Sequence, residues 1–295
     1  MDANSVDGRC TLKFPPFAYC RPSTLAEAIA VLASDPDSRA LAGGQSLLPL
    51  LAMRLTAPSV LVDLADLSDL SGIEVRAGVV RIGAMTTQAE CASSPIIRAQ
   101  LPLMHEALSF VAHPVVRNRG TIGGSLAHGD PAAEMPVVMV ALGATIRATG
   151  PAGERSIPAA EFFIGPLTTA LAPGEVLTHV DIPVQRGTWA FEEVSRRHGD
   201  FALVMAAVGL DIQSGKIDWA RVLLGAVSDR PVRAHDAEAA LAGRPIDAAT
   251  ARTAGDAASK GLNPSSDIHA SGQYRRQVAG VLVRRAILRA AGGTK

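Results

Sequence analysis

Two short glycine-rich segments carry residue types and spacings that suit phosphate binding. The first glycine loop is Ala42-Gly43-Gly44-Gln45-Ser46, and the second glycine loop is Thr121-Ile122-Gly123-Gly124-Ser125. Paired glycines permit positive φ angles and let a ligand approach the main-chain N–H groups closely. Consecutive N–H groups can form an anion-binding concavity, to which the nearby hydroxyl side chains add donors. The loops therefore predict a pyrophosphate site, the alternative being two tight turns that need glycine for geometry alone.

The sequence lacks the motifs of other common nucleotide, metal and catalytic sites. The chain has no GxGxxG and no GxxxxGK[ST], which disfavours a Rossmann or P-loop nucleotide site. Cys10, Cys20 and Cys91 are scattered and form no CxxC pair, so we expect neither a zinc nor an iron–sulfur site in this chain. No nucleophile elbow or metal-ligand spacing is present. We therefore expect no catalytic acid, base or metal ligand here.

Charged and ionisable residues flank the second glycine loop. His113 and His128 stand on either side of it, and Arg117 and Arg119 precede it. Each of them can contact a ligand, but solvated or structural roles are more common for residues of these types. Both interpretations stay open at this point.

The elements before the second glycine loop are read from hydrophobic periodicity. Thr24 and Glu27 have the spacing of a capping box at the start of a helix. The first glycine loop then lies between a predicted strand and a predicted helix. The remaining predictions of this region are a strand at Arg39–Ala42, a helix at Leu47–Leu55, a strand at Val60–Asp63, a hairpin at Ile73–Met85 and a helix at Ile96–Phe110.

The rest of the chain changes character after Pro183. Residues 113–131 are predicted as a loop, 132–142 as a buried helix and 145–156 as a hairpin. Three strands then follow, with a turn at Ser214-Gly215 that favours an antiparallel meander. These strands are Trp189–Arg196, Phe201–Ile212 and Ile217–Val227, and the helices after them are Asp236–Ala242, Ala248–Lys260 and Tyr274–Ala290.

Length and composition limit the class of protein. The 295 residues are 48% hydrophobic, with 28 basic and 28 acidic side chains. The zero formal charge argues against a nucleic-acid binder. No apolar run approaches the ~20 residues that cross a bilayer, and the start does not resemble a signal peptide. We therefore expect a cytoplasmic protein with no membrane span.

Three segments together resemble one family. LAGGQSLLPLLAMRL, VRNRGTIGGSLAHGDPAAEMP and FEEVSRRHGDFA occur in the order found in FAD-binding (medium) subunits of the molybdenum hydroxylase family. The likeness is greatest to carbon monoxide dehydrogenase medium subunits and more distant to the xanthine dehydrogenase flavin domain. It covers roughly residues 14–290. Two glycine loops at matching separation are specific, whereas a single AGG would be weak.

The resemblance implies an α+β fold. A two-subdomain FAD-binding domain of the vanillyl-alcohol-oxidase (PCMH) type precedes an α+β domain with a three-stranded antiparallel sheet and helices. The expected organisation is a flexible leader over residues 1–11, the FAD-binding domain over 12–186 with subdomains 12–66 and 67–186, and the C-terminal domain over 187–295.

The resemblance also implies the site. FAD would contact both glycine loops, from Ala42 to Ser46 (Ala42, Gly43, Gly44, Gln45, Ser46) and from Thr121 to Ser125 (Thr121, Ile122, Gly123, Gly124, Ser125). Glu134 stands where relatives carry an aspartate that bonds the FAD sugar, and Leu177 where an apolar residue packs on the flavin ring. Relatives differ at Glu192, where some carry a lysine, and at Val111, where some carry an aromatic. The roles of Glu192, Asp200 and His113 stay open.

The implied function is electron transfer. In such enzymes a large subunit carries the molybdenum cofactor, and a small subunit carries two iron–sulfur clusters. Electrons reach FAD in the medium subunit and leave to an external acceptor, and the subunits form a dimer of heterotrimers. One alternative is a self-sufficient FAD-dependent NAD(P)H reductase of the same fold, and another is a non-catalytic phosphate-binding module. Neither the substrate nor the acceptor follows from this chain.

The C-terminal helix is basic. After Asp267 there is no acidic residue, while Arg275, Arg276, Arg284, Arg285, Arg289 and Lys295 follow. An apolar stripe at Ala279, Leu282, Val283, Ala286, Ile287 and Ala290 predicts one buried face. Most arginines would then point outward, as a solvated face or as a docking surface for an acidic partner subunit.

Overall fold

Three short parallel strands and a capped helix form the first part of the chain. The computed structural model describes residues 14–292, so the predicted leader lies outside the described residues. Thr24 caps the first helix by accepting from the N–H of Glu27, as its spacing predicts. Strand β3 lies between β1 and β2 and is parallel to both. The elements are β1 Ala18–Cys20, α1 Leu25–Ser34, β2 Arg39–Leu41, α2 Leu47–Ala52 and β3 Val60–Asp63.

A five-stranded antiparallel sheet with short helices forms the next part. Its strand order is β4-β5-β10-β6-β7, so the hairpins at either side are joined by the late strand β10. The strands are β4 Ile73–Arg76, β5 Val79–Gly83, β6 Thr145–Gly150, β7 Gly153–Pro158, the small pair β8 Phe163–Gly165 and β9 Thr168–Thr169, and β10 Val176–Pro183. The helices are a 3-10 turn at Ser68–Leu70, α3 Gln88–Ser93, α4 Pro95–Gln100, α5 Pro102–Ala107, α6 Pro114–Arg117, α7 Ile122–His128, α8 Glu134–Leu142 and α9 Ala159–Phe162.

Two predictions for this region were wrong. The single helix expected over residues 96–110 is broken at Leu101, because Pro102 lacks an N–H and begins a new helix instead. The segment expected as a loop, residues 113–131, contains α6 and α7. Thr121 caps α7 by accepting from the N–H of Gly124, so the glycines lie in its first turn. The strand β10 was not predicted.

The last part is an antiparallel meander covered by helices. Its first three strands and the turn at Ser214-Gly215 agree with the prediction, and β14 adds a short fourth strand. The elements are β11 Thr188–Ser195, β12 Ala202–Gln213, β13 Lys216–Gly225, β14 Val232–Arg233, α10 His235–Leu241, α11 Ala248–Lys260 and α12 Gly272–Ala290. Nine consecutive residues of β12, from Ala202 to Leu210, are buried.

This burial has a simple cause, since the meander is covered on both faces. One face packs on α11 and α12, where Val204 and Val208 join the helix side chains. The other face packs on the core of the preceding part, through residues such as Phe191 and Met205. Within residues 14–292, no helix is both long and apolar enough to cross a membrane.

The basic helix α12 has the outward arginines that were predicted, at Arg276, Arg284 and Arg285, but two of its other arginines are used within the chain. Its apolar stripe is buried as predicted. Arg275, however, is 7% exposed and donates to the carbonyl oxygen of Leu203 and to Asp267. Arg285 and Arg289 form salt bridges with Glu192 of β11. Arg275 and Arg289 therefore serve the chain's own fold, and docking of a partner subunit by the exposed arginines stays a prediction.

Candidate functional site

The fold brings the two glycine loops into contact, although about 75 residues separate them along the chain. A Cβ atom at Gly43 would overlap the carbonyl oxygen of Arg119, just before the second loop. A Cβ atom at Gly124 would lie 3.3 Å from the Cβ of Ala42. Glycine is needed at Gly43 because the two backbones approach more closely than any side chain allows.

The first glycine loop presents free backbone donors. Over residues 14–292, no acceptor pairs with the backbone N–H groups of Gly43, Gly44, Gln45 and Ser46. Gly44 has φ +73°, in the left-handed region that favours glycine. Such a run of unpaired N–H groups beside a left-handed residue is the arrangement that binds phosphate oxygens. The hydroxyl of Ser46 has no partner in the same part of the chain either.

The second glycine loop supports the first rather than adding free amides. Its N–H groups donate within the chain, from Ile122 to Thr86 O, from Gly123 to Ala84 O and from Gly124 to Thr121 Oγ1. A Cβ atom at Gly123 would overlap the side chain of Ala84, so this glycine is required for packing. Ser125, half-buried in the same turn, keeps a hydroxyl with no partner among the described residues.

Glu134 and Leu177 lie near this region and are both buried. Glu134 begins α8 and is 7% exposed. Burial raises the pKa of its carboxyl to about 7, with a further increase from Asp130 and an opposing effect from Arg117. Leu177 of β10 is 4% exposed and packs in the main core. Its neighbour Thr178 accepts from the N–H of Ala84, the residue that also supports Gly123.

Matches to protein families cover nearly all of the described chain. Residues 15–185 match the FAD binding domain in molybdopterin dehydrogenase, and residues 189–290 match the CO dehydrogenase flavoprotein C-terminal domain. The chain belongs to this flavoprotein family. It is a medium, FAD-binding type of subunit of the molybdenum hydroxylase family.

Relatives and solved structures agree with the family match. The nicotine 6-hydroxylase medium subunit of Paenarthrobacter nicotinovorans is 40% identical over 96% of this chain and 100% of its own. The carbon monoxide dehydrogenase medium chain of Afipia carboxidovorans is 40% identical over 95% and 98%. A crystal structure of quinoline 2-oxidoreductase from Pseudomonas putida 86 superposes with a TM-score of 0.93 at 49% identity, covering 95% and 99%.

A second carboxyl with a raised pKa in this FAD-binding subunit was missed by sequence reasoning. Glu193 of β11 has an Oε2 atom that is buried and has no hydrogen-bond partner within residues 14–292. Burial raises the pKa of its carboxyl to about 8, and the charge of Glu134 adds to the effect. The signal available in the sequence was the adjacent pair Glu192-Glu193. Neighbouring residues of a strand face opposite sides, so in a sheet covered on both faces each carboxyl meets packed protein.

The sequence left the roles of Glu192, His113 and Asp200 open, and the structure shows which parts of the chain they contact. Glu192 is 5% exposed at its side chain and bridges Arg285 and Arg289. His113 packs against the turn at Gly199, where a Cβ atom would lie 2.7 Å from its ring. Asp200 follows in that turn.

Of the two arginines before the second loop, Arg117 donates to the carbonyl oxygens of Val111 and Ala112. Its guanidinium is therefore tied to backbone rather than left free for a phosphate. Arg119 is exposed and meets the first glycine loop through its carbonyl oxygen.

The residues present fit an FAD. A pyrophosphate needs closely spaced N–H donors, which Gly43 to Ser46 supply. A sugar hydroxyl needs a hydrogen-bonding partner that is not costly to bury, and a carboxyl with a pKa of about 7, such as Glu134, is half neutral at that pH and largely neutral a pH unit below it. Gly43 to Ser46 lie against the second glycine loop, and Glu134 begins α8, which packs against α7, the helix that contains that loop.

Proposed function

We propose that this chain is the electron-transfer subunit of a molybdenum hydroxylase complex. It would hold one non-covalent FAD, accept electrons from iron–sulfur clusters of a small partner subunit and pass them to an external acceptor. Substrate oxidation would take place at the molybdenum cofactor of a large partner subunit. The observation that carries the proposal is the run of unpaired N–H groups from Gly43 to Ser46, held against the second glycine loop.

The work of this chain would be binding and orientation. Gly43 to Ser46 would hold the pyrophosphate, while Thr121 to Ser125 would brace that loop and add the hydroxyl of Ser125. Glu134 would bond a sugar hydroxyl, and Leu177 would meet the flavin ring through the small part of its side chain that is exposed. A bound flavin supplies the exchange between one-electron donors and two-electron acceptors. No side chain of this subunit is proposed as a catalytic acid or base.

Several findings support the assignment to a complex. Relatives of nearly the same length are described as medium chains or subunits, including a 6-hydroxypseudooxynicotine dehydrogenase complex subunit. The substrates in the names of these relatives differ widely, as in the caffeine dehydrogenase subunit. This variety favours a shared electron-transfer task, with the substrate determined by another subunit. We also propose a domain division into residues 12–186 and 187–295, supported by family matches that end at 185 and begin at 189.

Two measurements test the proposal. Heat or acid treatment of the purified full chain should release one yellow FAD per polypeptide. FMN in the supernatant, or flavin retained on the denatured chain, would refute a non-covalent FAD. Affinity purification from the native host should also recover a large and a small subunit, with molybdenum and iron in the complex. Steady-state NAD(P)H oxidation by the isolated chain, coupled to a small substrate, would instead support a self-sufficient reductase.

A further inference from the structure

A pocket lies at the end of α8 opposite to Glu134. Its volume is about 660 Å³, within the range of small-molecule sites. One wall is the end of α8 and the residues around α9, including Val140 and Phe163, and the other is the segment from Arg221 to His235. Glu134 is at the opposite end of α8, and nine helical residues span roughly 13 Å. The pocket is therefore separate from the candidate FAD site.

The pocket has an excess of positive charge. Arg221, Arg230 and Arg233 all line it. Arg233 is neutralised by a bidentate pair with Glu238. Neither Arg221 nor Arg230 forms a salt bridge with any residue in the described range 14–292. Two guanidinium groups thus face one cavity without carboxylate partners.

Arg221 is held in place rather than solvated. Its Nη1 donates to the carbonyl oxygen of Ala141 at 2.9 Å, and its guanidinium lies 5.4 Å from the centre of the Trp219 ring. Its Nε is buried without an acceptor in the described part of the chain. Burial, and then the charge of Arg233, lower the pKa of this arginine. An unpaired, partly buried cation is costly unless an anion approaches it.

The other residues that line the pocket indicate the chemical class of this anion. Apolar walls come from Val140, Phe163, Pro231 and Val232, and Ser228 adds a hydroxyl to the lining. Guanidinium groups match the planar, bidentate geometry of carboxylates and the oxygens of phosphates. We propose that this pocket binds an oxyanion, a carboxylate or phosphate on an apolar body, through Arg221 and Arg230. The oxyanion comes either from a free small molecule or from an acidic side chain of a partner subunit.

The two tryptophans of the chain report on this pocket. Trp189 and Trp219 are in contact with each other, with ring centres 5.7 Å apart, and Trp219 stacks on Arg221. The experiment titrates the full chain, freed of flavin, with inorganic phosphate and separately with benzoate at constant ionic strength. Dissociation constants come from calorimetry, and tryptophan fluorescence locates the binding event.

Arg230→Gln removes an exposed guanidinium with no structural contacts in the described residues, so the fold should be unaffected. It should weaken binding about tenfold, as expected for the loss of one charged hydrogen-bonding partner. Arg221→Gln should weaken binding at least as much. Arg252→Gln, an exposed arginine on α11, is the matched control and should bind like wild type. FAD affinity should be unchanged in all three variants, which separates this test from that of the FAD site.

The assembled complex distinguishes the two sources of the oxyanion. Equal affinity for the probe in the isolated chain and in the complex supports a free small molecule. Binding by the isolated chain that disappears in the complex supports a partner carboxylate in the pocket. If neither phosphate nor benzoate binds the isolated chain, or if Arg221→Gln and Arg230→Gln both bind like wild type, the proposal is overturned.

Discussion

The buried carboxyl of Glu134 makes the stability of this protein depend on pH in a way that one substitution should remove. Burial raises its pKa from an ordinary 4.5 to about 7. The native chain then keeps a proton that the unfolded chain releases, so this contribution to stability is complete below pH 4.5 and is lost as pH rises toward 7. At about 1.4 kcal/mol for each tenfold change in proton affinity, the loss amounts to about 3 kcal/mol.

Glu134→Gln replaces the carboxyl with an uncharged amide of similar shape and should abolish this loss. The free energy of unfolding of the flavin-free chain is measured by urea denaturation at pH 5, 6, 7 and 8. Relative to wild type, the variant should gain about 2 to 3 kcal/mol between pH 5 and pH 8. Glu161→Gln, at an exposed glutamate of α9, is the control and should show no such gain. A difference between Glu134→Gln and wild type that stays constant over this range would refute the reasoning.

The same residue links stability to cofactor binding. If a neutral Glu134 donates to the FAD sugar, wild-type affinity for FAD should fall as pH rises above about 7. Glu134→Gln keeps donor and acceptor atoms, so its affinity should be flat with pH, whereas Glu134→Ala should bind weakly at every pH. Equal FAD affinities for wild type and the alanine variant would remove Glu134 from the site.

Three further substitutions address the site and its support. Gly44→Val forces a β-branched residue to φ +73°, which should cost about 1–2 kcal/mol of stability and weaken FAD at least tenfold; an unchanged dissociation constant would exclude the first loop. Arg289→Ala leaves the buried Glu192 without its more buried partner and should lower the free energy of unfolding by about 3 kcal/mol in urea denaturation. Arg285→Ala removes a more exposed partner and should lower it by less than ~1 kcal/mol. Equal losses for the two variants would contradict this ranking. Glu193→Gln should remove a pH-dependent loss of stability that extends to about pH 8, and a flat difference from wild type over pH 5 to 9 would show that its carboxyl is not buried in solution.

Local signals in the sequence were sufficient for many elements. The cap at Thr24 and the turn at Ser214-Gly215 depend on residues within four positions of each other, and both agree with the structure. The bounds of β3, Val60–Asp63, and of α11, Ala248–Lys260, also match the prediction. Such features are decided by side chains next to one another, so no knowledge of the tertiary fold is needed.

Features that depend on distant residues were missed. The strand β10 was unassigned because its identity depends on pairing with β5, whose Arg81 bonds Asp181 across 100 residues. The link from Arg289 to Glu106 spans 183 residues. From the sequence, Arg289 was indistinguishable from a solvated arginine. Its partners exist only once α12, β11 and α5 are packed together.

The glycine loops show why a motif can locate a site without explaining each of its residues. From the sequence, every glycine of the pairs suggested room for a ligand. In the structure, the chain itself occupies the space that a side chain would need at these glycines. The carbonyl oxygen of Arg119 lies there at Gly43, and Ala84 lies there at Gly123. Only Gly44 is required by its positive φ at the loop whose amides are free. A substitution at Gly43 or Gly123 would therefore disturb the packing that joins the loops. A substitution at Gly44 acts through local backbone strain at the free amides, at an expected cost of about 1–2 kcal/mol, and leaves the contact between the loops in place.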